Sequence, residues 1–348
     1  MKLSIGFITY NDNTFKYLPF FIPSLLSSVH RACSSYPDLL VDFFIVDNSD
    51  VSFSDNNDFL FNFFYEKKLD FKIWRSKENC GFAKAYNLMI NESLKNNSDI
   101  FLVINPDVLL EESFLEKMLS YYFSNKDIAV LVPKILYWDF KNNIKTNIID
   151  SYGIGINKCH RFFDINQGKN IRDCLSFNSD KAVFGFSGAG ALFNLSRLIK
   201  VAYQSKNGLE FFDEEMFMYK EDVDLSYRLR LAGEKIIFIS KAIMYHDRTI
   251  SKKNPFKLLF SKNRNLSRSR SFLNQLIILR KIKNIPFSFD IKLMTLLRFY
   301  LLYIYGFIFF REQLKILKGK RFKIDKKAFN FDKNNENLKK IESFMRGY

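Results

Sequence analysis

Residues 100–107 read IFLVINPD, five apolar residues in unbroken succession followed by Asn105, Pro106 and Asp107. An apolar run of this length, closed by turn residues, fits a strand buried on both faces, as in parallel sheets covered by helices. The same reading extends toward the N-terminus. Residues 3–9 form one such strand, residues 41–46 a second that ends in Asp47-Asn48-Ser49-Asp50, and residues 71–74 a short third. Helical periodicity fills the intervals at residues 14–32, where Pro19 and Pro23 complicate the start, and at residues 82–95, just after Gly81. Strands alternating with helices predict an α/β domain, a mostly parallel central sheet flanked by helices. Ligands of such sheets bind at the carboxyl ends of the strands, and the Asp-rich turns fall at those ends.

Further along the pattern is less regular. Residues 129–132 and 182–186 read as strands with an irregular stretch between them, and Ser187-Gly188-Ala189-Gly190-Ala191 is small and flexible. Residues 210–219 are acidic and aromatic, residues 222–232 have helical spacing, and residues 236–239 and 242–245 read as the last strands before His246. There is no internal repeat.

Charge divides the chain near residue 250. The net charge is +16 over 348 residues, yet residues 248–348 hold 25 Lys and Arg against 6 Asp and Glu, so the excess lies wholly in that region. We expect a nucleotide-binding domain over residues 1–250 and a basic helical region over residues 251–348. Residues 252–270 are basic and polar, residues 272–282 suggest a short apolar helix, and residues 291–310 are mostly apolar but carry Lys292 and Arg298. The longest uncharged run there, residues 299–310, is shorter than the roughly 20 residues that span a bilayer. Basic flanks around Phe, Tyr and Leu fit an interfacial helix. They suit a membrane surface better than nucleic acid. A helix buried in the fold or in a homo-oligomer and a solvated basic face are the other readings. The four cysteines form no C-x-x-C pair, which fits reduced thiols in the cytosol. The first apolar run stops at Asn11, short for a signal peptide. A cytoplasmic protein, peripheral on the inner face of the cell membrane, is expected.

Three groups of residues point to chemistry. Asp47 and Asp107 end core strands, where a carboxylate needs a partner because desolvating a charge is costly. Base N–H groups, ribose hydroxyls or a phosphate-bound Mg²⁺ or Mn²⁺ would supply one. Taken singly, each also suits a turn or helix cap. Glu221, Asp222 and Asp224 open a helix, where the dipole favours carboxylates. With the acids just before them they exceed what a helix start needs, so one can serve as a general base. His246 ends a strand-like run; taken alone it reads as a satisfied surface or core histidine, and paired with Asp107 it would be a second metal ligand.

Together these pieces resemble the GT-A fold, family 2 inverting glycosyltransferases. The resemblance covers roughly residues 1–250 and rests on FITYND, IVDNSD, ENCGFAKAYN, LVINPD, GFSGAGALF, FDEEMFMYKEDVDLSYRLRLAGEKI and IMYH, in that order. The Asn-Pro-Asp form and the MYKEDVDLSYRL block are similar to the bacterial rhamnosyltransferase and galactofuranosyltransferase branch, whose members make surface polysaccharides. The resemblance implies that Thr9 and Tyr10 line the nucleotide pocket and that Asp47 contacts base or ribose. Asn79, Gly81 and Asn87 would shape the neighbouring loop and helix. Asp107 and His246 would hold the metal on the diphosphate. Asp222 would be the catalytic base, supported by Glu221 and Asp224, and Gly188, Ala189 and Gly190 would face the acceptor. Many relatives carry Asp-x-Asp at the metal site. Here Asn105 takes the first position, so the metal should lean on phosphate, water and His246.

The implied reaction is metal-dependent transfer of a sugar, rhamnose from dTDP-rhamnose first and galactofuranose from its UDP donor second, to a glycan or lipid-linked acceptor. A nucleotidyltransferase is the competing enzyme reading, although FITYNDNTFKY lacks its Gly-rich phosphate loop. A non-catalytic nucleotide-binding scaffold of a polysaccharide assembly complex is the competing non-enzyme reading.

Overall fold

The computed structural model describes residues 1–206, 208–248, 266–329 and 336–347. Of the basic stretch expected at residues 252–270, residues 252–265 lie outside them. The strands are β1 (Lys2–Thr9), β2 (Leu40–Asp47), β3 (Phe71–Arg75), β4 (Ile100–Ile104), β5 (Val108–Leu110), β6 (Ile128–Asp139), β7 (Ile144–Ser151), β8 (Ile154–Ile156), β9 (Phe162–Asp164), β10 (Lys181–Ala182), β11 (Gly190–Asn194), β12 (Tyr203–Ser205), β13 (Gly208–Glu210) and β14 (Lys235–His246). The helices are α1 (Asn11–Phe15), α2 (Leu18–Ser35), α3 (Asp55–Glu66), α4 (Gly81–Lys95), α5 (Phe114–Ser124), α6 (Leu195–Leu198), α7 (Glu221–Leu231), α8 (Leu266–Lys281), α9 (Phe289–Phe309), α10 (Arg311–Gly319), α11 (Arg321–Lys326) and α12 (Glu336–Arg346).

A ten-stranded sheet runs in the order β10-β14-β6-β11-β4-β1-β2-β3, with β5 added to β14 and β7 to β6. The half made of β4, β1, β2 and β3 is parallel, β11 runs antiparallel between β4 and β6, and β14 is parallel to β6. The deciding stretch behaves as its pattern requires. Ile100, Leu102 and Ile104 enter the core under α2 and α5, while Phe101 and Val103 enter the core under α4. Both faces are covered, so no position of β4 needed to be polar.

Several boundaries differ from expectation. The helix expected over residues 14–32 is two, α1 and α2, with Pro19 in the first turn of α2, where a missing N–H costs nothing. The strand at residues 129–132 is the start of the twelve-residue β6, which forms a hairpin with β7. Of residues 182–186 only Ala182 belongs to a strand; Val183 and Gly185 instead donate to the Ile236 and Ile154 carbonyls. The two last strands are one, β14, with a register shift between Ile239 and Ile243.

The described residues beyond 265 are packed on the sheet domain rather than set apart from it. Phe272, Leu276, Ile277, Leu314, Ile324 and Ile341 share one core with Ile154, Phe184, Val223 and Tyr227. Some of the basic excess is consumed there. Lys281, at the end of α8, is buried between Asp213 and Asp224 at 2.5 Å from each, and Lys327 also reaches Asp213, at 2.7 Å.

Candidate functional site

A cleft of about 1020 Å³ opens at the carboxyl ends of β1 and β4 and at the start of α7. Tyr10, Asn105, Asp107, Gly188, Ala189, Glu221, Asp222, His246 and Arg248 line it. Local structure explains how they meet. The Asn-Pro-Asp turn ends β4, and β5 then pairs with β14 so that Val108 stands opposite His246. Asp107 therefore lies next to the imidazole: its Oδ2 is 3.3 Å from His246 Nε2, and its Oδ1 is buried with no hydrogen-bond partner.

His246 Nδ1 meets Asp150 Oδ2 at 2.8 Å. Burial pushes the imidazole pKa down, but Asp107 and Asp150 outweigh it and hold the group at about 10. Asp150 itself, despite burial, lies below the usual carboxylate range because of His246 and Arg248. Arg248 Nη1 binds Asp150 Oδ1 at 3.1 Å and Asp164 Oδ2 at 2.6 Å. The sequence offered no motif for Asp150, Asp164 or Arg248. The one available signal was charge directly after the β14 histidine, at Asp247 and Arg248. Asp247 is used too, accepting from Tyr17 Oη at 2.6 Å.

No cluster of three or more His, Cys, Asp or Glu suited to a metal occurs among the described residues. The unpartnered Asp107 oxygen beside an imidazole nevertheless fits a hard divalent cation of the Mg²⁺ or Mn²⁺ kind, which takes few protein ligands and fills its shell with water and phosphate; its binding would displace the Nε2 proton that the two carboxylates favour in the metal-free site. Asp150 on the far nitrogen would orient His246 for that role.

On α7, Asp222 accepts from the Gly188 N–H at 3.1 Å through Oδ2 and from the Val223 N–H at 2.8 Å through Oδ1. Burial raises its pKa, and Asp164 adds to that rise, while the two N–H groups and Lys220 oppose it. Glu221 is pushed well above the usual range by burial and by the charge of Asp222, and its Oε2 is buried without a partner. The approach to α7 is strained: Phe217, Tyr219 and Lys220 have φ of 61°, 71° and 68°. Side chains of this size rarely adopt that region, at a cost of about 1–3 kcal/mol each. Asn274 of α8 holds the segment, its amide donating to the Met216, Met218 and Tyr219 carbonyls at 2.9, 3.0 and 2.6 Å. Gly81 makes room on the other side; its φ is +78° and a Cβ would fall 2.7 Å from the Phe217 carbonyl oxygen.

Asp47 does not line this cleft. It is buried at the end of β2, its Oδ1 accepting from Thr9 Oγ1 at 2.8 Å and Ser49 Oγ at 2.6 Å, with Oδ2 left unpartnered 3.9 Å from Arg75 Nε. Thr9 and Asn79 are likewise turned to structure, Asn79 accepting from the Gly81 N–H at 2.9 Å. Three expected site residues are used elsewhere. Asn87 clamps the loop after β13, accepting from the Phe211 and Phe212 N–H groups and donating to the Phe212 carbonyl, so its amide has nothing left for a nucleotide. Asp224 faces away from the acceptor, buried with Lys281 and Arg228. Gly190 is packed on Met244 in the sheet, while its neighbours Gly188 and Ala189 stay at the cleft.

Residues 4–180 match the family profile described as glycosyl transferase family 2, half of the chain. The chain belongs to glycosyl transferase family 2. Its fold is the GT-A fold of solved glycosyltransferases. The chain resembles GalNAc-T7, solved with UDP, GalNAc and Mn²⁺, at 10% identity and a TM-score of 0.56, over 85% of this chain and 55% of that one. It resembles TarS of S. aureus at 14% identity and 0.51, over 100% of this chain and 54% of that one. It also resembles the mannosyltransferase PcManGT from Pyrobaculum calidifontis, in complex with GDP-Man and Mn²⁺, at 11% identity and 0.50, over 99% and 84%. The chain thus spans little more than half the length of the first two. No curated protein matches it in sequence. Asp222 and His246 lie beyond the matched residues of this family 2 chain, so their roles rest on geometry.

Proposed function

We propose that this family 2 member transfers a sugar from a nucleotide-sugar donor to a hydroxyl of a glycan or lipid-linked acceptor, with inversion at the anomeric carbon. The observation that carries the reading is one cleft lined both by the Asp107–His246 pair and by an Asp222 that two backbone N–H groups hold in place. Asp222 takes the proton of the acceptor hydroxyl as its oxygen attacks the anomeric carbon. The bond from that carbon to the diphosphate breaks on the opposite face, and its electron pair leaves with the diphosphate. Asp107 and His246 would hold the Mg²⁺ or Mn²⁺, which supplies charge to the departing phosphates. Arg248 adds a fixed cation to the same wall. Outside the cleft lining, Asp47 Oδ2 makes no hydrogen bond and lies 3.9 Å from Arg75 Nε; a donor base that extends past Tyr10 to the end of β2 would give it one. Holding donor and acceptor in one cleft removes much of the entropic cost of their meeting.

The resemblance makes dTDP-rhamnose the first donor to test and a UDP-linked galactofuranose the second, in synthesis of a bacterial surface polysaccharide. Purified protein is offered a panel of nucleotide sugars with Mg²⁺, Mn²⁺ or chelator, and released nucleoside diphosphate is read. Turnover of one donor names the sugar. No turnover together with no nucleotide binding by calorimetry rejects the enzyme reading in favour of the scaffold.

Two variants sharpen the assignment. Asp107→Ala is expected to abolish the gain in donor affinity that Mn²⁺ gives; equal affinities with and without metal in the wild type would remove Asp107 from the metal site. Asn274→Ala leaves the chemical groups untouched but frees the strained segment before Asp222. Its kcat should fall by about 10- to 100-fold, the scale of small misplacements, with KM for the donor little changed. A matched rise in KM at constant kcat would place Asn274 in binding instead.

A further inference from the structure

Helix α9 is 21 residues long, the one helix among the described residues long and apolar enough by composition to cross a bilayer. Its packing favours a flat placement instead. Ile291 in its first turn and Gly306 near its last are both buried against the domain. They lie about 22 Å apart along the axis at 1.5 Å per residue, so the helix is laid flat along the protein. One face is packed there. The other displays Leu293, Leu296, Leu297, Tyr300, Leu301 and Phe307 to solvent, Leu301 at 68% and Phe307 at 60% exposure, and Ile304 and Ile308 extend it. At 100° per residue these positions share one arc of the helix, and from Leu293 onward that arc holds no charged residue. A contiguous apolar face of this kind marks an interaction surface.

Charge identifies the partner. Arg311 follows the helix and stacks on the exposed Phe307 at 4.9 Å. Residues 311–326 carry seven cations against Glu312 and Asp325, and Lys315, Arg321 and Lys323, although paired with Glu312, Asp325 and Glu215, keep more than two thirds of their side chains exposed. At the other end, a groove of about 400 Å³ runs between α8 and α9 with an apolar floor that includes Phe287, Leu296 and Phe299, and Lys283 and Lys292 stand at its rim. An apolar arc flanked at both ends by lysine and arginine complements acyl chains beneath anionic headgroups. A protein surface would need acids set along the rim and an apolar counterpart of the same length. We infer that α9 lies in the interface of an anionic membrane, with its exposed arc among the acyl chains and the flanking cations on the headgroup phosphates. The docked cations and the catalytic cleft are then joined through α8, which carries both Asn274 and the wall against which α9 packs.

The test is flotation of the full chain with vesicles of neutral phosphatidylcholine or of phosphatidylcholine with phosphatidylglycerol, at physiological salt. The expected result is at least about tenfold more protein floating with the anionic vesicles, since several cations reach the headgroups together. The double variant Leu301→Asp with Phe307→Asp should lose flotation while keeping its thermal unfolding midpoint. A Tyr300→Trp variant gives a readout independent of that substitution: its added indole emission should be quenched by brominated acyl chains. Equal partition to neutral and anionic vesicles, no flotation, or an added emission that the brominated chains leave unquenched overturns the inference. So does a stable dimer in buffer that the double aspartate variant splits without altering flotation, which would give the face to a second copy.

Discussion

Asp222→Asn should bind donor as the wild type does and lose transfer by roughly 10²- to 10⁴-fold, the range of a general base. Asn keeps the shape and one oxygen for the Gly188 or Val223 N–H but cannot take a proton. Calorimetry with the nucleoside diphosphate reads the first property and acceptor-dependent product formation the second. Transfer at the wild-type rate would sink the base assignment. The pH profile tests the same point. Burial sets the Asp222 carboxyl above its ordinary range, and Asp164 adds to it. A base works deprotonated, so the rate should rise with pH through that raised value and level off above it, its acidic limb lying higher than for an exposed aspartate. Of the two adjacent acids, Asp222 should ionise first, because two N–H groups stabilise its charge while one Glu221 oxygen has no partner. Glu221 then stays protonated beside it, the separation expected of neighbouring carboxyls with unlike surroundings. Glu221→Gln, which mimics that protonated form, should keep transfer.

The parallel half of the sheet was legible because its strands are buried on both faces and so read as unbroken apolar runs. The β6–β7 hairpin was not: residues 144–151 alternate poorly, and only the last three residues of β7 are buried. Asp107, Asp222 and His246 could be picked out because each stands where a strand ends or a helix begins. Asp150 could not, since it lies near the end of β7 with no motif and gains meaning only when β14 brings His246 beside it. Asp224 misled for the converse reason. Six acids fall between residues 213 and 224, and nothing local separates those that face the cleft from those that face the core. What separates them is Lys281, 57 positions away in sequence. Asn87 is a similar case: a polar side chain on a helix beside the expected pocket, claimed by backbone groups from a loop some 125 positions later. The basic C-terminal region read as a tail because charge density hides its division of labour. Lys281 and Lys327 turn inward to acids, whereas Lys315 and Lys318 stay exposed.

That inward use of charge carries the largest expected stability effect. Lys281→Met should destabilise the protein by roughly 3–5 kcal/mol, the cost of stripping a buried pair of one partner. Asp213 and Asp224 would remain buried, with Lys327 and Arg228 as their surviving counter-charges. At about 2 °C per kcal/mol in a chain of this size the midpoint of thermal unfolding should fall by roughly 6–10 °C. Lys315→Met is the control, since Lys315 and its partner Glu312 are both exposed and such pairs contribute little. The acid dependence separates the charge effect from lost packing. Burial alone would raise the Asp213 pKa, but Lys281 and Lys327 hold it well below the usual carboxylate range. A carboxyl depressed on folding stabilises above its unfolded pKa, and that stability is lost as pH falls toward the folded value. The wild type should therefore lose more stability than Lys281→Met between pH 5 and acid, and the two curves should converge at low pH. Parallel curves would assign the loss to packing of the lysine stem. The variant should also lose transfer before it loses the fold, because Lys281 and Asn274 lie on the same helix, and loosening α8 from Asp213 releases the segment that presents Asp222.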